Sequence, residues 1–153
     1  MESTAGIHAR ESEYLGRFVQ LGVAGGKVVS VSFPAAADDG ATPDHPLLDR
    51  VFRYLEGKAD GFEDVEVGLT VPTDQRAVLE ALRGVGYGEQ VSVEKLARMT
   101  ADLDPDDEDD RELVRVALSG NPVPLLLADH RVRDGPSGAP PEVEQRLRSL
   151  EGL

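Results

Sequence analysis

The chain contains no cysteine. Disulfides, thiolate zinc sites, iron–sulfur clusters and a cysteine nucleophile are thereby excluded. Lysine is scarce, with only Lys27, Lys58 and Lys95. The three histidines, His8, His45 and His130, have no metal-ligand spacing, so no metal is expected. No run of about 18 apolar residues is present to span a bilayer. Nothing resembles a secretory signal, and a soluble cytoplasmic protein is expected. Phosphate-loop and dinucleotide glycine patterns are missing, so no cofactor is expected. Gly84-Val85-Gly86-Tyr87-Gly88 is glycine-rich but follows a helical pattern, which makes it a turn.

What is present is acidic. The 153 residues carry 29 Asp and Glu against 16 Lys and Arg, a net charge of −13. Hydrophobic residues make up 40%, enough for a packed core of one domain or two small ones. High Asp, few Lys and a large negative charge look like adaptation to a salt-rich cytoplasm. Short carboxylates hold water and cations, whereas long lysine stems expose methylenes that strong salt drives together. At about 1 M salt the Debye length is only roughly 3 Å, so self-repulsion is screened. The same balance is wrong for a typical nucleic-acid binder, which shows a basic face.

Residues 1–12 lack a pattern and predict a loose terminus. Tyr14–Val23 and Lys27–Phe33 alternate around Ala24-Gly25-Gly26, as in a β-hairpin. After a small-residue loop, Asp44 precedes His45-Pro46 at a helix start. Leu47, Leu48, Val51, Phe52 and Leu55 then recur at helical spacing up to Gly57. Val65, Val67 and Leu69 predict a short strand. The first half, residues 1–71, is thus expected to be a small α/β domain.

The second half, 72–153, opens on Thr73 as an N-cap candidate, with Val78, Leu79 and Leu82 on one helical stripe. Ser92 caps a short helix carrying Val93, Leu96, Ala97 and Met99. The acidic run Asp104-Pro105-Asp106-Asp107-Glu108-Asp109-Asp110 leads into a helix from about Asp107 to Ser119, closed by Gly120. The run lacks the glycine and alternation of a calcium loop. Two short helices behind a longer one predict a helix-turn-helix or winged-helix unit. Val123–Val132 is an apolar extended stretch, and a last helix spans Pro141–Leu150.

Leu125 to Val132 is the constellation with most chemistry in it. An apolar strand ending in Asp129-His130-Arg131 delivers three polar groups from a buried element, where titration is perturbed. The plainer alternative pairs Asp129 with Arg131 and leaves His130 hydrogen-bonded in the core.

Several of these segments match one family. Gln75-Arg76-Ala77-Val78-Leu79-Glu80-Ala81-Leu82 and Val85-Gly86-Tyr87-Gly88-Glu89-Gln90-Val91-Ser92 resemble its Gln-x-x-Val-Trp-x-x-Leu and Ile-Pro-Tyr-Gly-Glu-x-x-Ser motifs. Asn121-Pro122-Val123-Pro124, continuing through Asp129-His130-Arg131-Val132, resembles Asn-Pro-x-Pro-Ile-x-x-Pro-Cys-His-Arg-Val. Leu150-Glu151-Gly152 matches its close. The family is that of the methylated-DNA–protein-cysteine methyltransferases, suicide enzymes that take alkyl groups from guanine in DNA. The resemblance implies an α/β N-terminal domain and a winged-helix-like C-terminal domain.

It also implies roles for residues. Asp129 stands where the acceptor cysteine is expected, with Asn121, His130 and Glu151 as retained partners. A carboxylate is a far poorer nucleophile toward an alkyl carbon than a thiolate, which implies that no catalysis occurs. Val93 replaces the nucleotide-rotating tyrosine, and Glu112 replaces the arginine that enters the duplex. Ser92, Arg111, Arg115 and Arg131 remain as DNA-binding candidates. Val93, Asp129, Ser137 and Gly138 are the lesion-pocket candidates. A cysteine-less, alkyltransferase-like subgroup, here from a haloarchaeon, would bind alkylated guanine by flipping it and flag it for repair proteins. Such a protein is expected to be a monomer without cofactor. A rival reading is a relic that has lost DNA and serves as an acidic protein-interaction module. A third is alkyl transfer to Asp129 as a methyl ester.

Overall fold

The computed structural model describes residues 6–153. Strands β1 (Gly6–Ser12), β2 (Arg17–Ala24) and β3 (Lys27–Ser32) form an antiparallel sheet in that order. Gly25 and Gly26 join β2 to β3, both with positive φ (58° and 77°). That backbone suits the two-residue turns whose twist matches paired strands. β1 corrects the expectation of a loose terminus, while residues 1–5 of that stretch lie outside the described residues. Only Ala9 and Ser12 of β1 are buried, so its pattern is faint, and it owes its form to pairing with β2.

Helix α1 (Pro46–Leu55) covers the sheet with Leu47, Leu48, Val51, Tyr54 and Leu55. His45, not Asp44, is its N-cap, with Nδ1 accepting from the Leu47 N–H at 3.1 Å. The expected strand around Val65–Leu69 is absent. Val67 makes one isolated bridge to Val28, and Glu66 and Gly68 bond the Val28 backbone. This short irregular segment blocks the outer edge of β3.

The second half is helical: α2 (Thr73–Ala81), α3 (Val93–Met99), α4 (Glu108–Ser119) and α5 (Pro141–Glu151). Thr73 is the first helical residue and Pro72 takes the cap position without a side-chain bond. Ser92 caps α3, accepting from the Lys95 N–H at 3.0 Å. Asp107 caps α4, accepting from the Asp109 N–H at 2.8 Å. α4 packs against both α2 and α3 through Val114, Ala117 and Leu118.

Val123–Val132 is not a strand. It is a buried, irregular segment ending in a 3-10 turn, Asp129–Arg131. Pro122 and Pro124 cannot donate to a ladder, and Leu125 has a φ of 77°. Its local bonds, Leu127 N–H to Val123 C=O and Asp129 N–H to Leu127 C=O, satisfy the backbone instead. The apolar core runs from β2 and α1 through this segment to α5, across the boundary expected near residue 71. Among the described residues no helix is long and apolar enough to cross a membrane.

Candidate functional site

The 3-10 turn places Asp129, His130 and Arg131 in the interior, each at most 4% exposed. Around it, α5 delivers Glu151, α1 delivers Tyr54, the end of α4 leads to Asn121, and the loop before α5 delivers Ser137 and Gly138. Two polar centres result.

The first centre is the Asp129 carboxylate, whose three partners are all donors. Ser137 Oγ donates to Oδ1 at 2.6 Å. The Gly138 N–H and Asn121 Nδ2 donate to Oδ2 at 2.8 and 3.0 Å. Burial pushes this carboxyl above the usual carboxylate range, and the bonds from Ser137, Gly138 and Asn121, with the nearby His130, oppose the rise. Asn121 also donates to the Leu127 carbonyl at 3.0 Å, so the same amide holds the turn in place.

The second centre is Glu151. Its Oε1 accepts from Arg131 Nε at 2.9 Å and from the Gly88 N–H at 3.0 Å. Its Oε2 accepts from Arg131 Nη2 at 3.2 Å and the Tyr54 hydroxyl, and lies 2.7 Å from His130 Nε2. Burial acts to raise the Glu151 pKa, but the bonds from His130 and Arg131 outweigh it and bring it down to about 2. Glu151 is therefore ionised and accepts only, so His130 Nε2 carries the proton of that bond. His130 Nδ1 is buried and has no partner among the described residues. Tyr54 is held neutral, first by burial and then by the Glu151 charge. The alternative pairing of Asp129 with Arg131 does not form, because Arg131 is spent on Glu151 and, through Nη1, on the Val85 carbonyl at 2.8 Å.

Of the lesion-pocket candidates, Asp129, Ser137 and Gly138 bond one another, and Val93 packs beneath the same loop. The Val93 N–H donates to Asp134 at 2.7 Å. A Cβ on Gly135 would lie 2.8 Å from Leu118 and 3.2 Å from Val93, so the loop presses onto this floor. Five cavities of about 210 to 400 Å³ lie elsewhere, and none of the five is lined by these four residues. Asp129 itself is 1% exposed and lies beneath Ser137 and Gly138.

The DNA-binding candidates separate. Arg131 is buried and does not reach the surface. Ser92 Oγ accepts from the Lys95 N–H as the α3 cap. Arg111 folds back onto the Pro105 carbonyl at 2.9 Å and Glu108 at 2.6 Å. Arg115 reaches the other oxygen of Glu108 at 3.1 Å. Glu112 is exposed, one turn before the exposed Val116. Sequence reading missed Tyr54, which sits on the apolar stripe of α1 one turn after Val51. Its only signal is a hydroxyl on an otherwise apolar face. Gly88, inside the motif at 85–92, acts through its backbone N–H, and Asp134 accepts from the Val93 N–H with its carboxylate, a contact without a sequence signal.

A three-stranded sheet followed by a helical half with a buried Asn–His–Arg–Glu cluster defines an alkyltransferase fold. The O6-methylguanine methyltransferase of Mycobacterium tuberculosis shares it, with a TM-score of 0.70 and 21% identity over 96% of this chain and 92% of that one. The same organism's OGT, solved in complex with DNA, gives 0.69 and 22% over 96% and 91%. The O6-methylguanine-DNA methyltransferase of Pyrococcus kodakaraensis gives 0.67 and 21% over 97% and all of that chain. A methylated-DNA–protein-cysteine methyltransferase of Methanopyrus kandleri is 35% identical over 109 residues, 70% of this chain and 78% of the relative. One of Metallosphaera sedula is 28% identical over 130 residues, 82% and 79%. No family model matches the chain. The chain belongs to the methylated-DNA–protein-cysteine methyltransferase family.

Proposed function

We propose that this protein is a non-catalytic, alkyltransferase-like member of its family, which associates with DNA and transfers no alkyl group. The observation that carries this is Asp129 at the acceptor position, buried and bonded to Ser137, Gly138 and Asn121. Alkyl transfer needs a soft nucleophile with a free lone pair aimed at the alkyl carbon. A carboxylate is a hard nucleophile, and here three of its roughly four lone-pair sites already accept hydrogen bonds.

The finer reading is that the DNA ligand carries an alkylated guanine, bound for repair. Retention of Asn121 beside Asp129, and of His130 and Arg131 on Glu151, supports it, as does the packed helix pair α3–α4. Base capture at Asp129 requires the loop at 134–138 to lift first, because Ser137 and Gly138 are bonded over the buried carboxylate. The second reading, an acidic protein-interaction module, is favoured by α4. There Glu112 faces outward and Glu108 binds both arginines that would touch phosphate.

Two measurements test the proposal, in molar potassium chloride because the charge balance fits a salt-rich cytoplasm. After incubation with a duplex containing O6-methylguanine, the intact mass of the protein is expected to be unchanged. A gain of one methyl group makes Asp129 an acceptor and ends the non-catalytic reading. In a gel shift the alkylated duplex is expected to be retained over the plain duplex. Equal retention removes the alkylated-guanine reading and leaves plain DNA association; no retention of either duplex leaves the protein-interaction reading in its place.

A further inference from the structure

Three donors converge on one buried point: the Ser137 hydroxyl, the Gly138 amide and the Asn121 amide. Each has a second tie that fixes it without Asp129. Ser137 Oγ also accepts from the Ala139 N–H at 3.0 Å. Asn121 Oδ1 accepts from the Val123 N–H at 3.0 Å, and its Nδ2 also donates to Leu127. Gly138 sits where a Cβ would lie 2.3 Å from the Asn121 carbonyl oxygen, so its amide is held in close backbone packing. Donors organised this way form a cradle for an oxo or carboxylate group, and the cradle does not depend on the residue that fills it.

We propose that Asp129 is a tethered ligand: its carboxylate fills a preorganised three-donor cradle that otherwise takes the oxo or carboxylate group of a separate molecule. Asp129 thus competes in cis for the donors, and the loop carrying Ser137 and Gly138 is closed by its own chain. This rests on the reading that Asp129 is no alkyl acceptor. A tethered carboxylate meets its donors at a high effective concentration, so a free ligand cannot displace it at ordinary concentrations.

Severing the tether tests this. Asp129→Gly removes a CH₂ and a carboxylate, and acetate returns nearly the same group. Added to this variant, acetate in place of chloride raises the thermal midpoint with the logarithm of its concentration. At ten times its dissociation constant the rise is roughly 3–6 °C. Pivalate, equal in charge but too bulky, gives no such rise. The wild type gives none, because its cradle is full. Asp129→Asn also gives none: its carbonyl keeps Gly138 and Asn121 while Ser137 turns its hydroxyl to accept. If Asp129→Gly is unfolded alone, acetate is expected to restore its helical circular dichroism. No acetate-specific gain, in midpoint or in refolding, overturns the proposal, as does an equal gain in the wild type. A methyl gain on Asp129 would instead sink the non-catalytic reading and leave the acetate result standing, so the two failures are distinct.

Discussion

Replacing Glu151 with alanine is expected to lower the thermal midpoint by roughly 10 °C. The substitution leaves Arg131 and His130 buried without their carboxylate and frees the Tyr54 hydroxyl. Breaking a buried ion pair by removing one partner costs about 3–5 kcal/mol, because an uncompensated charge stays behind. A chain of this size loses about 2–4 °C per kcal/mol. Salt should not rescue the variant, since the cluster is closed to water and buried pairs are screened little. The pH dependence follows from the Glu151 pKa, lowered from an ordinary 4.5 to about 2 in the fold. Its contribution is fully present above the unfolded value and is lost as pH falls from about 4.5 toward 2. The alanine variant lacks this loss. Asp129 acts in the opposite sense: its pKa is raised, so its ionisation costs stability that returns as pH falls. Thermal melts across pH 2–7 at two potassium chloride concentrations check both points. A loss below a few degrees, or one that salt removes, contradicts the buried network.

Gly138→Ala is the second large effect. The new Cβ would meet the Asn121 carbonyl oxygen at 2.3 Å and the Asn121 Cβ at 3.3 Å. The first of these is backbone and cannot turn away, so the loop must shift. Any shift lengthens the bonds from Gly138 and Ser137 to Asp129. Overpacking of this kind costs about 1–3 kcal/mol, and a loosened buried carboxylate adds to it. Gly61→Ala is the control. There the Cβ meets only the flexible end of Glu63, and the midpoint is expected to change little. Equal midpoints for the two variants would show that the loop at 138 is not tightly packed.

Much of the architecture was legible where local rules dominate. Helices α3 and α4 announce themselves through the Ser92 cap, the acidic run that leads into α4 and their apolar stripes. The β2–β3 hairpin follows from alternation around Gly25-Gly26. What failed is equally physical. β1 has a weak pattern because it lies at a sheet edge, and its form comes from a partner. Val123–Val132 misled because an apolar run without periodicity marks burial, not strand. The motif singles out Asp129, His130, Arg131 and Glu151, but not how they are wired to one another. Arg131 turned from surface to core because Glu151, 20 residues later, reaches it over the turn. The arginines of α4 are expected to face outward, and Glu108, one turn before Arg111 and two before Arg115, captures them. Neither pairing is written in residue spacing alone.

Hydrogen exchange at the Gly138 amide is the most direct probe of the account. Gly138 is an exposed loop residue whose N–H ends on a buried carboxylate. If Asp129 holds the loop shut, this single amide exchanges as slowly as the amides of the buried core in the wild type, and rapidly in Asp129→Gly. Rapid exchange in the wild type, at the rate of the exposed residues beside it, would mean an open loop and a free carboxylate, contrary to everything inferred about the site.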